Sequence, residues 1–213
     1  MPNPIIKAES LAKVVSTNQE QLTILEEVNL EINEGESVAI VGSSGAGKST
    51  LMTLLAGLDT PSNGEVHLLG HELSTLDDEQ RASIRSDFVG FVFQSFLLIP
   101  SLTAIENVTL PCLLKGENED VERARELLDS VGLTHRLHHL PSQLSGGEQQ
   151  RVALARTLMQ DKPLVLMDEP FSALDAVTRH KLQTLSAELL KDRTVLLITH
   201  DPQEALRLGH NIY

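Results

Sequence analysis

Gly42-Ser43-Ser44-Gly45-Ala46-Gly47-Lys48-Ser49-Thr50 decides the fold of this 213-residue chain. The run satisfies G-x-x-x-x-G-K-[S/T], the pattern of a phosphate-binding loop. Its flanks agree, because Ser37–Val41 reads as a short buried strand and Ser49–Ala56 as a helix stopped by Gly57. Glycines free the backbone N–H groups to wrap a phosphate, so Gly42, Ser43, Gly45 and Gly47 are candidate contacts, with Thr50 closing the run. Lys48 is placed to bridge β- and γ-phosphates, and the Ser49 hydroxyl to ligate Mg²⁺.

Downstream, Pro163–Asp168 and Thr194–Thr199 are continuous apolar runs, as expected of parallel strands buried on both faces. Asp168 then emerges at the carboxyl end of its strand, where open α/β sheets hold their ligands, and is a candidate for Mg²⁺. Glu169 follows it and is the candidate to polarise an attacking water. Gln94 terminates Phe88–Phe93, another strand, and is a candidate sensor of Mg²⁺ or the water. His200 terminates Thr194–Thr199 and is a candidate partner of the γ-phosphate.

Upstream, Ile5–Val14 and Leu22–Ile32 read as antiparallel strands, with Val28, Leu30 and Ile32 alternating with polar residues. Asp59 to Gly64 is rich in turn formers. Between residues 95 and 160 the texture becomes helical, with Asp120 as an expected cap and Gly132 as an expected stop. The expected architecture is an α/β core with a parallel sheet, an N-terminal antiparallel β subdomain and an inserted α-helical subdomain. Residues 1–94 and 161–213 would form the core with its β subdomain, and 95–160 the helical insertion, within one domain. Asn211-Ile212-Tyr213 reads as the start of a further strand with nothing after it, implying a truncated or unusually short chain.

Leu144-Ser145-Gly146-Gly147-Glu148-Gln149-Gln150-Arg151 supplies a second anion-binding helix start, since Val152, Ala153, Leu154, Ala155 and Leu158 follow with a helical pattern. A chain with one phosphate loop has little use for two such ends unless two chains share a nucleotide. Phosphate loop, Gln94, Ser-Gly-Gly run, Asp168-Glu169, Ala173-Leu174-Asp175 and His200, in that order, resemble the ATP-binding cassette (ABC) ATPases over the whole chain. The resemblance implies a P-loop NTPase core, and a head-to-tail homodimer holding two ATP molecules with Mg²⁺ at its interface. Ser145, Gly146 and Gly147 of one subunit would face the γ-phosphate held by Lys48 of the other, and Asp175 would cross the interface to couple the sites.

In the family an aromatic residue from the early strand stacks on adenine. This sequence offers Val15 there, an apolar contact without π stacking, which implies loose base selectivity and modest affinity. Leu73–Asp87, Gly90–Pro100 and Ile105-Glu106-Asn107-Val108 are similar to the lipoprotein-releasing and macrolide-export group, particularly its YbbA-type members. Phe171-Ser172-Ala173 departs from that group, which often has Thr-Gly-Asn there. The implied role is ATP hydrolysis powering an integral-membrane permease for export or lipid and lipoprotein extraction, from the cytoplasmic face of the inner or plasma membrane. An ATPase driving a non-transporting envelope or cell-division complex uses the same engine and stays open.

Composition narrows the rest. A net charge of −13 disfavours nucleic acid, and 3% aromatic residues leave few platforms for stacking bases. No apolar run approaches the ~20 residues that span a bilayer, so a membrane role requires a partner. The single cysteine, Cys112, suits a reducing compartment. His135, His138 and His139 lack neighbouring ligands at metal spacing and read as a surface loop, and Glu117–Glu122 as a solvated helix start. Phe96–Ile99 reads equally as core or as part of a groove for a permease helix.

Overall fold

The computed structural model describes residues 4–16 and 21–213. The chain opens with β1 (Pro4–Ser16), β2 (Gln21–Asn33) and β3 (Ser37–Val41), followed by α1 (Lys48–Leu55), β4 (Asn63–Leu68) and β5 (His71–Glu72). It continues through α2 (Asp78–Phe88), β6 (Val89–Phe93), α3 (Ala104–Leu114), α4 (Val121–Ser130) and α5 (Gly146–Met159). β7 (Leu164–Asp168), α6 (Ala176–Leu189), β8 (Thr194–Thr199), α7 (Pro202–Leu208) and β9 (Asn211–Ile212) complete it.

Two sheets form. β2-β1-β4-β5 is antiparallel, whereas β6-β7-β8-β3-β9 is parallel throughout. The central strands β7 and β8 are buried on both faces, and period-two alternation divides their side chains between two cores. Leu164, Leu166, Leu196 and Ile198 face α1 and the antiparallel sheet, through Leu51, Leu54, Ile6 and Val66. Val165, Met167, Val195 and Leu197 face the other way, against Leu158, Leu182, Ala205 and Phe171. Phe171, at 1% exposure, is thus a core residue of the second layer. A third core, Ala104 to Met159, joins α3, α4 and α5 within the helical segment.

Local signals account for the helices. Thr103 and Glu106 form a capping box at the start of α3, and Asp77 and Gln80 form one at α2. Asp120 Oδ1 accepts the Arg123 N–H at 3.0 Å at the start of α4, and Gly132, at φ 71°, turns the chain away after it. Asn63–Leu68, where the sequence suggests turn continuing to Gly64, is instead a strand paired with β1. Gly64 tolerates this because it holds φ 81°. Phe88 ends a helix rather than beginning β6. Cys112 is buried and free. Among the described residues no helix is long and apolar enough to cross a membrane.

Candidate active site

The parallel sheet aligns the ends of four strands. Val41 pairs with Thr199, Ile198 with Asp168, and Asp168 with Phe93. Gly42, His200, Glu169 and Gln94 therefore leave the sheet along one carboxyl-end edge, with the phosphate loop between β3 and α1. Gly45 and Gly47 both sit at φ 83°, conformations that a side chain would strain.

Lys48 is almost fully buried, and its Nζ donates to the carbonyls of Gly42 at 2.7 Å and Ser43 at 2.8 Å. The loop thus holds its own cation at its mouth. Glu169 Oε1 lies 3.8 Å from that Nζ and Oε2 lies 3.1 Å from His200 Nδ1. Glu169 adopts φ 44°, a strained conformation held by its N–H to Ile198 O at 2.8 Å and by Ser172, whose hydroxyl donates to Glu169 O at 3.0 Å.

Ser49 Oγ donates to Asp168 Oδ1 at 3.2 Å. Burial pushes the Asp168 carboxyl above its ordinary value, with the Ser49 hydroxyl opposing. A half-buried carboxylate beside a hydroxyl is a hard-oxygen set that suits Mg²⁺. A cavity of about 330 Å³ opens over this edge, lined by Leu22, Ile24, Ser44, Lys48, Thr50 and Glu169. Leu22, 60% exposed, and Ile24 form its apolar wall, and the sequence reading did not single them out. Val15 pairs with Leu22 across the β1–β2 ladder and is exposed rather than part of the core.

The Ser-Gly-Gly run starts α5. Ser145 Oγ accepts the Glu148 N–H at 3.3 Å while Glu148 Oε2 accepts the Ser145 N–H at 2.8 Å. Hydrogen bonding from the Ser145 N–H, assisted by Arg136, holds the Glu148 carboxyl below its usual range. A Cβ on Gly147 would come 2.5 Å from Thr178 Cγ2, so α5 meets α6 where only glycine fits. Gln150 reaches the other way, donating to Pro170 O at 2.6 Å and fastening α5 to the turn after Glu169. Asp175 caps α6, accepting the N–H groups of Val177 at 3.1 Å and Thr178 at 3.0 Å. Within one chain Ser145, Gly146, Gly147 and Asp175 are absent from the lining of the Lys48 cavity.

His135 and His138 are exposed, and His139 Nε2 lies 3.1 Å from Arg136 Nη1. Phe96–Ile99 divides its roles: Leu97 and Ile99 are exposed, whereas Leu98 packs on the helical core. Asn107, fully buried, clamps this loop, accepting Ile99 N–H and donating to the carbonyls of Leu102 and Thr103.

A phosphate loop, an acidic strand end and a Ser-Gly-Gly helix start on one α/β scaffold define a nucleotide-hydrolysing cassette, and the comparisons agree. The ABC transporter family profile matches residues 25–172. The Escherichia coli (strain K12) uncharacterized ABC transporter ATP-binding protein YbbA is 49% identical over 207 residues, covering 95% of this chain and 91% of that protein. The lipoprotein-releasing system ATP-binding protein LolD of Saccharophagus degradans is 44% identical, covering 94% and 90%. A dimeric post-hydrolysis structure of the ATP-binding cassette MJ0796 bound to ADP and Pi superposes with a TM-score of 0.87 at 42% identity, over 97% and 92% of the two chains. The chain belongs to the ABC transporter family, as one of its ATP-hydrolysing cassettes.

Proposed function

We propose that the chain is the ATPase subunit of an export or lipid/lipoprotein-extraction transporter, working as a homodimer at the cytoplasmic face of the membrane. The observation that carries the mechanism is the shared strand edge, along which Gln94, Asp168, Glu169 and His200 leave the sheet at the same end as the Lys48 loop. Gly42, Ser43, Gly45, Gly47 and Thr50 cradle the phosphates, and Lys48 turns from its loop carbonyls to the β- and γ-oxygens. Ser49, Asp168 and Gln94 are the residues that would hold Mg²⁺, which would supply positive charge to offset that of the phosphate oxygens. Glu169 takes a proton from the attacking water, and His200 orients Glu169 and meets the γ-phosphate. Val15, with Leu22 and Ile24, packs on the base.

Ser145, Gly146 and Gly147 serve the partner's nucleotide rather than their own, and Asp175 meets the partner next to the exposed Val177. Residues 95–160 act as a helical subdomain around their own core. A groove of about 440 Å³ lined by Phe91, Phe93, Leu110, Pro111, Leu114 and Arg156 suits an amphipathic helix of the permease. The test is Mg²⁺-dependent phosphate release, followed by copurification with the permease and a lipid or lipoprotein transfer assay. Hydrolysis without transfer in the assembled complex would favour a mechanical, non-transporting role.

A further inference from the structure

Arg156 is one of two half-buried arginines of α5, with Arg151, that the reaction scheme leaves unused. Its guanidinium donates to Leu97 O at 2.6 Å and Phe96 O at 2.9 Å. Both acceptor residues are left-handed, at φ 49° and φ 56°, a conformation that neither a leucine nor a phenylalanine prefers. The Leu97 side chain does not compensate, being 53% exposed. The turn is tight: Phe96 N–H donates to Phe93 O at 3.3 Å and Leu97 N–H to Ser95 O at 2.5 Å. Gln94, exposed, falls within the span of the Phe93–Phe96 turn. Among the described residues Arg156 has no carboxylate partner, so these two carbonyls are what its charge meets. The Phe96 ring in turn lies against Gly146, at the start of the helix that carries Arg156.

We propose that Arg156 is a positioning residue for hydrolysis: its two-pronged guanidinium holds Phe96 and Leu97 in the left-handed turn that aims Gln94. This rests on the role given to Gln94 above. Arg156 also lines the groove beneath α3. Fork geometry matters, since an ammonium offers a point charge and cannot span two carbonyls in a fixed plane.

The test compares Arg156→Ala, Arg156→Lys, Gln94→Ala and Arg156→Ala/Leu97→Asn in the homodimer. Arg156→Ala lowers kcat roughly tenfold, about 1.4 kcal/mol, with ATP affinity of the monomer within about twofold, because Lys48 is untouched. Arg156→Lys falls between. Leu97→Asn, a residue that tolerates the left-handed region, restores much of the lost kcat, which a general packing defect would not allow. Full activity in Arg156→Ala beside a loss in Gln94→Ala overturns the anchoring role alone. No recovery in the double variant overturns it as well. Silence in Gln94→Ala overturns the role of Gln94 and the route through it. If Arg156→Ala fails to fold, Arg156→Lys with and without Leu97→Asn gives the same comparison.

Discussion

Glu169 lies between Lys48 and His200, its two carboxylate oxygens 3.8 Å and 3.1 Å from Nζ and Nδ1 respectively. One carboxylate is thus addressed by the group expected to hold the γ-phosphate and by the group expected to orient the base. Glu169→Gln keeps the size and the contacts but cannot accept a proton. Phosphate release falls by at least about 100-fold, ATP still binds, and an ATP-bound dimer accumulates in sedimentation. Wild-type turnover in this variant would remove Glu169 from the chemistry.

With Asp168 as the proposed Mg²⁺ ligand, the metal dependence is expected to be pH-sensitive. Burial raises its carboxyl above the ordinary 3.8, so the folded protein holds this proton more tightly than the unfolded chain. Its stabilising contribution is full below that ordinary value and is lost as pH rises through the raised one. Ionised Asp168 is the form that would bind Mg²⁺ and offset the loss, so metal with nucleotide is expected to raise Tm more at neutral pH than near the ordinary 3.8. Asp168→Asn flattens that difference and makes the metal-free protein more stable at neutral pH. Calorimetry at the two pH values, with and without Mg²⁺, decides the point.

Gly147 and Thr178 give a paired prediction. Gly147→Ala brings a Cβ within 2.5 Å of Thr178 Cγ2, the next nearest Thr178 atom being 3.7 Å away. Overpacking of this kind costs roughly 1–3 kcal/mol, read as a lower denaturation midpoint. Thr178→Ser deletes the offending methyl group and recovers most of the loss in the double variant. Additive losses in a double-mutant cycle would show that the clash is not the cause.

Ser145→Arg separates the two half-sites. Arginine at the α5 cap removes the Glu148 capping bond, worth about 1 kcal/mol, and fills the surface offered to a second chain. Nucleotide binding to the monomer stays intact, while ATP-driven dimerisation and hydrolysis are lost. Equilibrium binding and light scattering on one preparation give both readings, and normal hydrolysis would end the shared-site reading.

Much of the architecture was legible because the strands under the site are extreme in composition. Leu164–Asp168 and Thr194–Thr199 are apolar at nearly every position, and the phosphate loop locates β3 and α1 by itself. α2 lacked a signal for the opposite reason: it has no buried residue, so no apolar stripe marks its period. α3 buries so many positions that its stripe is lost too, and Pro111 inside it argues against a helix. β4 was hidden by Asn63-Gly64, a turn pair that here opens a strand. At the site, residues at strand ends were readable from position. Leu22, Ile24, Asn107 and Arg156 were not, because their roles come from contacts made across the sequence.

The flush strand ends also set which parts of the chain can change length. Each strand residue advances about 3.3 Å and reverses the face of its side chain. Removing one residue within Leu164–Asp168 would therefore retract Asp168 and Glu169 by one such step and turn them over. The same deletion in the exposed turn around Gly116, between α3 and α4, leaves every reacting group at its mark. The sheet serves as a common datum line, so a change of length in the helical segment leaves the chemistry at its edge in register.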